Sequence, residues 1–114
     1  MPYISIKTTE KLTSEKESSL KTALGSAIAL IPGKSESWLM VELEGDKHMF
    51  FKGKNDRPIA FAAISSYGSV DPSSASALTA KICDILEKEL GVPKDNIYVR
   101  YAETDLWGWN GRNF

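Results

Sequence analysis

The chain has 114 residues, with 14 basic against 15 acidic side chains, and 42% of its residues are hydrophobic. That length fits one domain with one modest core, and a formal net charge of -1 argues against a dedicated nucleic-acid surface. No apolar run approaches the roughly 20 residues needed to span a bilayer, and one cysteine with one histidine makes neither an intrachain disulfide nor a usual zinc site.

The chain opens on Met1-Pro2, followed by Tyr3-Ile4-Ser5-Ile6-Lys7, which reads as a strand. Removal of Met1 would turn Pro2 into a free secondary amine. An unperturbed N-terminal amine has a pKa near ~8, so modest burial or a nearby cation brings it to neutrality and makes it a base. From the dipeptide alone, a tolerated strand-opening proline is the plainer explanation. The first residues show no charged segment leading into an apolar stretch, so no secretory signal is expected.

Ser14-Glu15-Lys16-Glu17 has capping-box spacing, and Leu20, Ala23, Leu24, Ala27, Ile28 and Ile31 recur at helical period until Pro32-Gly33. Leu39, Val41 and Leu43 then alternate with polar neighbours, and Gly45-Asp46 turns the chain toward a short hairpin strand at His48-Met49-Phe50-Phe51. Trp38 and Met40 are expected on that first alternating strand. Pro58 to Ile64 is apolar enough for a central strand. Asp71-Pro72 starts a second helix with an apolar stripe of Ala75, Leu78, Ile82, Ile85, Leu86 and Leu90, ended by Gly91 and Pro93. Cys83 flanks that stripe as a packed or partly shielded thiol. In Ile97-Tyr98-Val99-Arg100-Tyr101, residues Tyr98 and Arg100 share one face and the others the opposite one.

The order is strand, helix, strand, hairpin strand, then strand, helix, strand: a duplicated βαβ unit. Right-handed crossovers place both helices on one face of a four-stranded mixed sheet, an α/β (α+β) architecture. The other face carries large side chains and is expected to pack against further copies in a closed homo-oligomer.

With this order, the chain resembles the macrophage migration inhibitory factor–like proteins of the tautomerase superfamily. The resemblance covers residues 1–114 as a single domain. It rests on Met1-Pro2, Gly33-Lys34, Ser65-Ser66-Tyr67-Gly68, Ile97-Tyr98-Val99-Arg100-Tyr101 and the terminal Trp107-Gly108-Trp109-Asn110-Gly111-Arg112-Asn113-Phe114. It implies a homotrimer with active sites at subunit interfaces. It also implies a cofactor-free, metal-free keto–enol isomerase acting on an aromatic or unsaturated keto acid such as phenylpyruvate, or on a dopachrome ester. Pro2 would be the general base. Lys34 matches the substrate-binding lysine and would hold a carboxylate as a point charge. Tyr98 matches an active-site tyrosine supplied by the neighbouring subunit, while Trp109 and Phe114 would wall an apolar pocket or simply cover an edge.

Three positions depart from the family pattern. Arg100 replaces the asparagine of the mammalian cytokines and would bind a carboxylate in bidentate fashion. Tyr67 replaces a small aliphatic pocket residue. Ile59-Ala60-Phe61-Ala62 stands where those cytokines carry a Cys-x-x-Cys pair, so thiol–disulfide chemistry is not expected. The alternative function is a signalling protein engaging a cell-surface receptor. The expected location is cytoplasmic, or secreted without a signal peptide, with no membrane insertion. His48 is not expected to activate Cys83 or a serine, and the acidic residues of the helices suit solvated faces.

Overall fold

The computed structural model describes residues 1–114. Its main sheet has four strands: β1 (Pro2–Thr8), β2 (Met40–Glu44), β3 (Ala60–Tyr67) and β4 (Ile97–Thr104). They lie in the order β2-β1-β3-β4. Pairs β1·β2 and β3·β4 are parallel, each bridged by a helix, whereas β1·β3 is antiparallel. The duplicated βαβ unit is therefore present as expected, with the two halves joined at β1 and β3.

Helix α1 (Ser14–Ala27) begins one residue away from the sequence expectation. Thr13, not Ser14, is the cap: its backbone is extended and its hydroxyl accepts from the Lys16 amide at 3.2 Å. The last apolar turn tightens into a 3-10 segment at Ile28–Leu30. Helix α2 (Pro72–Leu90) starts as read: Asp71 accepts from the Ser74 amide at 3.0 Å, and Pro72 fills the first turn. Gly91 ends it with φ 69°, and Val92 donates back to the Leu86 carbonyl, a closing geometry that only a left-handed residue permits without strain.

Both helices pack on one sheet face. Ile4, Ile6, Ala62 and Ile64 point from the strands into Leu20, Leu24, Leu78, Ile82 and Leu86, all buried. Alternation puts Tyr3, Ser5 and Lys7, then Phe61, Ala63 and Ser65, and finally Tyr98, Arg100 and Ala102 on the opposite face. No helix covers that face, and Tyr98 there is 61% exposed.

Two strand expectations fail. Trp38 and Leu39 precede β2: Trp38 closes a 3-10 turn at Glu36–Trp38. His48–Phe51 is not a strand within this chain. Asp46 and Lys47 donate to the Glu10 and Thr8 carbonyls, leading the chain away past the end of β1. Only Phe51 pairs, with Lys54, across a tight turn. A strand needs a neighbour to bond with, and residues 48–50 pair with no strand of this chain. The run that opens at Pro58 becomes β3 only at Ala60 and continues to Tyr67, because its parallel partner β4 extends to Thr104. A small hairpin, β5 (Gly108–Trp109) with β6 (Arg112–Asn113), ends the chain; Asn110 and Gly111 both take positive φ in its turn.

Candidate functional site

Three pieces of backbone meet where β1 begins. Pro2 is the first residue of that strand, paired opposite Ser66, and is buried. Lys34 follows the turn at Gly33, whose φ of 81° lets the chain reverse after α1. Its ammonium donates to the Tyr67 carbonyl at 2.9 Å. The Tyr67 amide in turn donates to the Met1 carbonyl at 3.1 Å. Lys34, the end of β3 and the first peptide bond of the chain are thus tied into one short network.

That placement acts on the amine that begins the chain. Burial lowers the pKa of the Met1 amine, and the Lys34 ammonium beside it lowers it further, since a second positive charge is unfavourable there. The start of β1 is therefore a position where an amine loses its proton more readily than in water.

Beside it lies a cleft of about 980 Å³, walled by Pro2, Tyr3, Trp38, Met40, Leu106 and Trp109 among others. Trp38 meets Trp109 edge to face, with ring centroids 5.2 Å apart. Tyr67 touches Phe114 at 5.5 Å, and Phe114 lies nearly parallel to Trp109. The four rings form a continuous aromatic border from the 3-10 turn to the end of β3. The cleft has mostly apolar walls and reaches the perturbed amine, with the Lys34 ammonium beside that amine rather than on the cleft wall, an arrangement suited to a small organic anion with an apolar body. No three His, Cys, Asp or Glu side chains are grouped so as to hold a metal ion.

Of the residues singled out from sequence, Pro2, Lys34, Tyr67, Trp109 and Phe114 gather around this region. Tyr98 and Arg100 do not join them within one chain. Pro2 pairs with Ser66 and Ser66 with Glu103, so Tyr98 lies five positions before the level of Pro2 and Arg100 three. At about 3.3 Å per residue these are separations of roughly 16 and 10 Å along the sheet. Both project from the uncovered face, Arg100 over the Phe61 ring at 5.4 Å.

A model of the macrophage migration inhibitory factor (MIF) family matches residues 1–114. The chain belongs to that family. It is 31% identical to the macrophage migration inhibitory factor homolog of Trichinella spiralis, over the whole of both chains. Among solved structures it is similar to Leishmania major MIF2, with 32% identity, a TM-score of 0.92, and 100% and 97% of the two chains covered. The MIF homologue of Prochlorococcus marinus is 30% identical with a TM-score of 0.84, covering 98% of each chain. Family membership fits the two-helix, four-stranded mixed sheet and the tautomerase fold.

Sequence reasoning did not place Trp38, Met40 and Leu106 at the cleft. The sequence pattern puts Trp38 on a strand, and the signal that it belongs here is its position four residues after Lys34, too close for the loop to carry it elsewhere. His48 is exposed, and Cys83 is part-buried on α2, where burial pushes its thiol pKa up and makes it a poor nucleophile.

Proposed function

We propose that this MIF-family protein is a cofactor-free keto–enol tautomerase for 2-keto acids with an aromatic or apolar side chain. The observation that carries this reading is the depressed basicity of the chain-start amine beside Lys34, at the edge of an apolar cleft. Loss of Met1 moves the amine to the Pro2 nitrogen, one residue deeper into the strand and buried. With Met1 retained, that nitrogen is an amide and offers no basic lone pair.

The Pro2 amine takes a proton from the carbon next to the substrate carbonyl. The C–H electron pair becomes the new carbon–carbon double bond, and the carbonyl oxygen accepts the proton in return. Lys34 anchors the carboxylate. The Tyr67 amide, which donates to the Met1 carbonyl here, is freed by processing and becomes a second donor to the bound anion. A homotrimer supplies Tyr98 and Arg100 from the next subunit: the hydroxyl bonds the carbonyl oxygen, and the guanidinium grips a carboxylate. Trp109, Phe114 and the Tyr67 ring border the side-chain pocket.

The test is turnover of phenylpyruvate by processed protein. General-base catalysis is worth roughly 10²–10⁴-fold, so Pro2→Gly is expected to lose activity on that scale. Parental turnover by Pro2→Gly would remove Pro2 from the mechanism.

A second reading is a secreted signalling role through a cell-surface receptor, motivated by relatives named macrophage migration inhibitory factor in Xenopus laevis and as homologs in Brugia malayi. No helix is long and apolar enough to cross a membrane. On the enzyme reading the protein works in the cytoplasm; the signalling reading requires export without a signal peptide. Receptor binding by the Pro2→Gly protein separates the two, since unchanged binding detaches signalling from chemistry.

A further inference from the structure

Residues 51–54 form a closed turn that neither the sheet nor the cleft accounts for. Phe51 and Lys54 exchange both backbone hydrogen bonds, at 2.8 and 3.0 Å. Lys52 and Gly53 between them have φ of 54° and 75°. Two consecutive left-handed residues closing a paired bridge leave the turn little freedom. The turn holds the Phe51 ring edge to face with Tyr98, centroids 5.0 Å apart and planes at 87°. The Lys52 ammonium lies over the same Phe51 ring at 5.4 Å. On the next register, Phe61 pairs with Tyr98 across β3 and β4, and its ring carries the Arg100 guanidinium.

Tyr98 and Arg100 are both exposed, on a sheet face without a helix above it. Exposed long side chains ordinarily sample several rotamers, and a side chain that must be fixed during each turnover loses that freedom at the expense of rate. Here each is held from its own chain before any second chain arrives.

We propose that Phe51 is a positioning residue for Tyr98, and Phe61 for Arg100: together they form an aromatic bracket that pre-sets the two side chains a protomer offers to its neighbour's site. This rests on the reading that Tyr98 and Arg100 act in that site. Phe51 touches no substrate. It acts by keeping the Tyr98 hydroxyl aimed where the carbonyl oxygen will be, and Phe61 acts by keeping the guanidinium aimed at the carboxylate.

The test is a double-mutant cycle on phenylpyruvate tautomerisation by processed protein, with trimer content measured by sedimentation. An aromatic pair contributes enough for roughly a three- to tenfold effect. Phe51→Ala is expected to lower kcat by that factor with KM little changed, and Phe51→Leu, which keeps bulk without a ring, to do the same. Phe51→Tyr restores the rate. In a Tyr98→Phe background, Phe51→Ala adds no further loss. Phe61→Leu is expected to raise KM instead, and to have no effect once Arg100 is replaced by Ala.

Equal losses from Phe51→Ala with and without the Tyr98 hydroxyl would overturn the proposal, as would a parental rate in Phe51→Leu. If Phe51→Ala fails to assemble, Phe51→Leu decides. A parental rate in Tyr98→Phe also overturns it, since Phe51 would then have nothing to act through. In that case, loss of activity in Pro2→Gly shows that the base assignment stands while the bracket falls.

Discussion

At the scale of single residues, the proposed chemistry turns on where one proton sits. The ordinary α-amino pKa is near ~8, and burial followed by the Lys34 charge moves the chain-start amine below it. A base works only when unprotonated. The kcat/KM of the processed protein is therefore expected to rise with pH through the Pro2 pKa and level off above it, with its midpoint below that of a solvated terminus. Replacing Lys34 by Ala removes both the proposed anion anchor and one cause of the depression, so it should raise KM and also move this midpoint upward. A pH–rate profile of the two proteins checks both signs, and an unmoved midpoint would limit Lys34 to binding. Trp38 answers a different question. It lines the cleft against Trp109 and presents a large uncharged ring there, so Trp38→Ala should weaken binding of phenylpyruvate more than of pyruvate. Equal losses for both acids would place Trp38 outside the side-chain pocket.

At the scale of elements, local rules explain most boundaries and fail where another part of the chain intervenes. Helix α2 was readable end to end, because Asp71, Pro72 and Gly91 each satisfy a terminus with their own backbone or side chain. Gly91 has nothing within 4 Å of where a methyl group would stand, so Gly91→Ala isolates the conformational cost. That cost is about 1–2 kcal/mol, expected as lost stability in chemical denaturation with activity per folded molecule unchanged. The segment 48–51 shows the opposite case. Its apolar residues have the composition of a strand, but strand formation depends on a pairing partner, and residues 48–50 find none in this chain. The C-terminal hairpin carried a readable signal in Asn110-Gly111, a pair suited to consecutive positive φ angles; the aromatic residues around it drew attention to packing instead.

At the scale of the whole molecule, the uncovered sheet face has two unlike ends. One presents Tyr98, Arg100 and Phe51; the other presents the cleft with Trp38, Met40 and Leu106. Contacts between unlike patches are head to tail, and head-to-tail contacts form rings where the rotation between copies closes. The homotrimer of the proposed function is one such ring, and if it forms, sedimentation of dilute protein should report a trimer mass. On the proposed function, loss of tautomerase activity should accompany dissociation, because Tyr98 and Arg100 would leave with the neighbour. A fully active monomer would show that Tyr98 and Arg100 are dispensable.

Periodicity, caps and the repeated order of elements determined the two helices, the four principal strands and the layering, because each depends on residues a few positions apart. Pro2, Lys34, Tyr67, Trp109 and Phe114 are singled out as candidates only through the resemblance of their surrounding motifs. Only the tertiary structure decided that Lys34 bonds the end of β3 beside the first peptide, that Trp38 leaves the strand to wall the cleft, and that Tyr98 and Arg100 lie far along the sheet from their own chain's Pro2. These are distances between segments remote in sequence. They are set by strand register and by how the helices pack, and no local pattern encodes either.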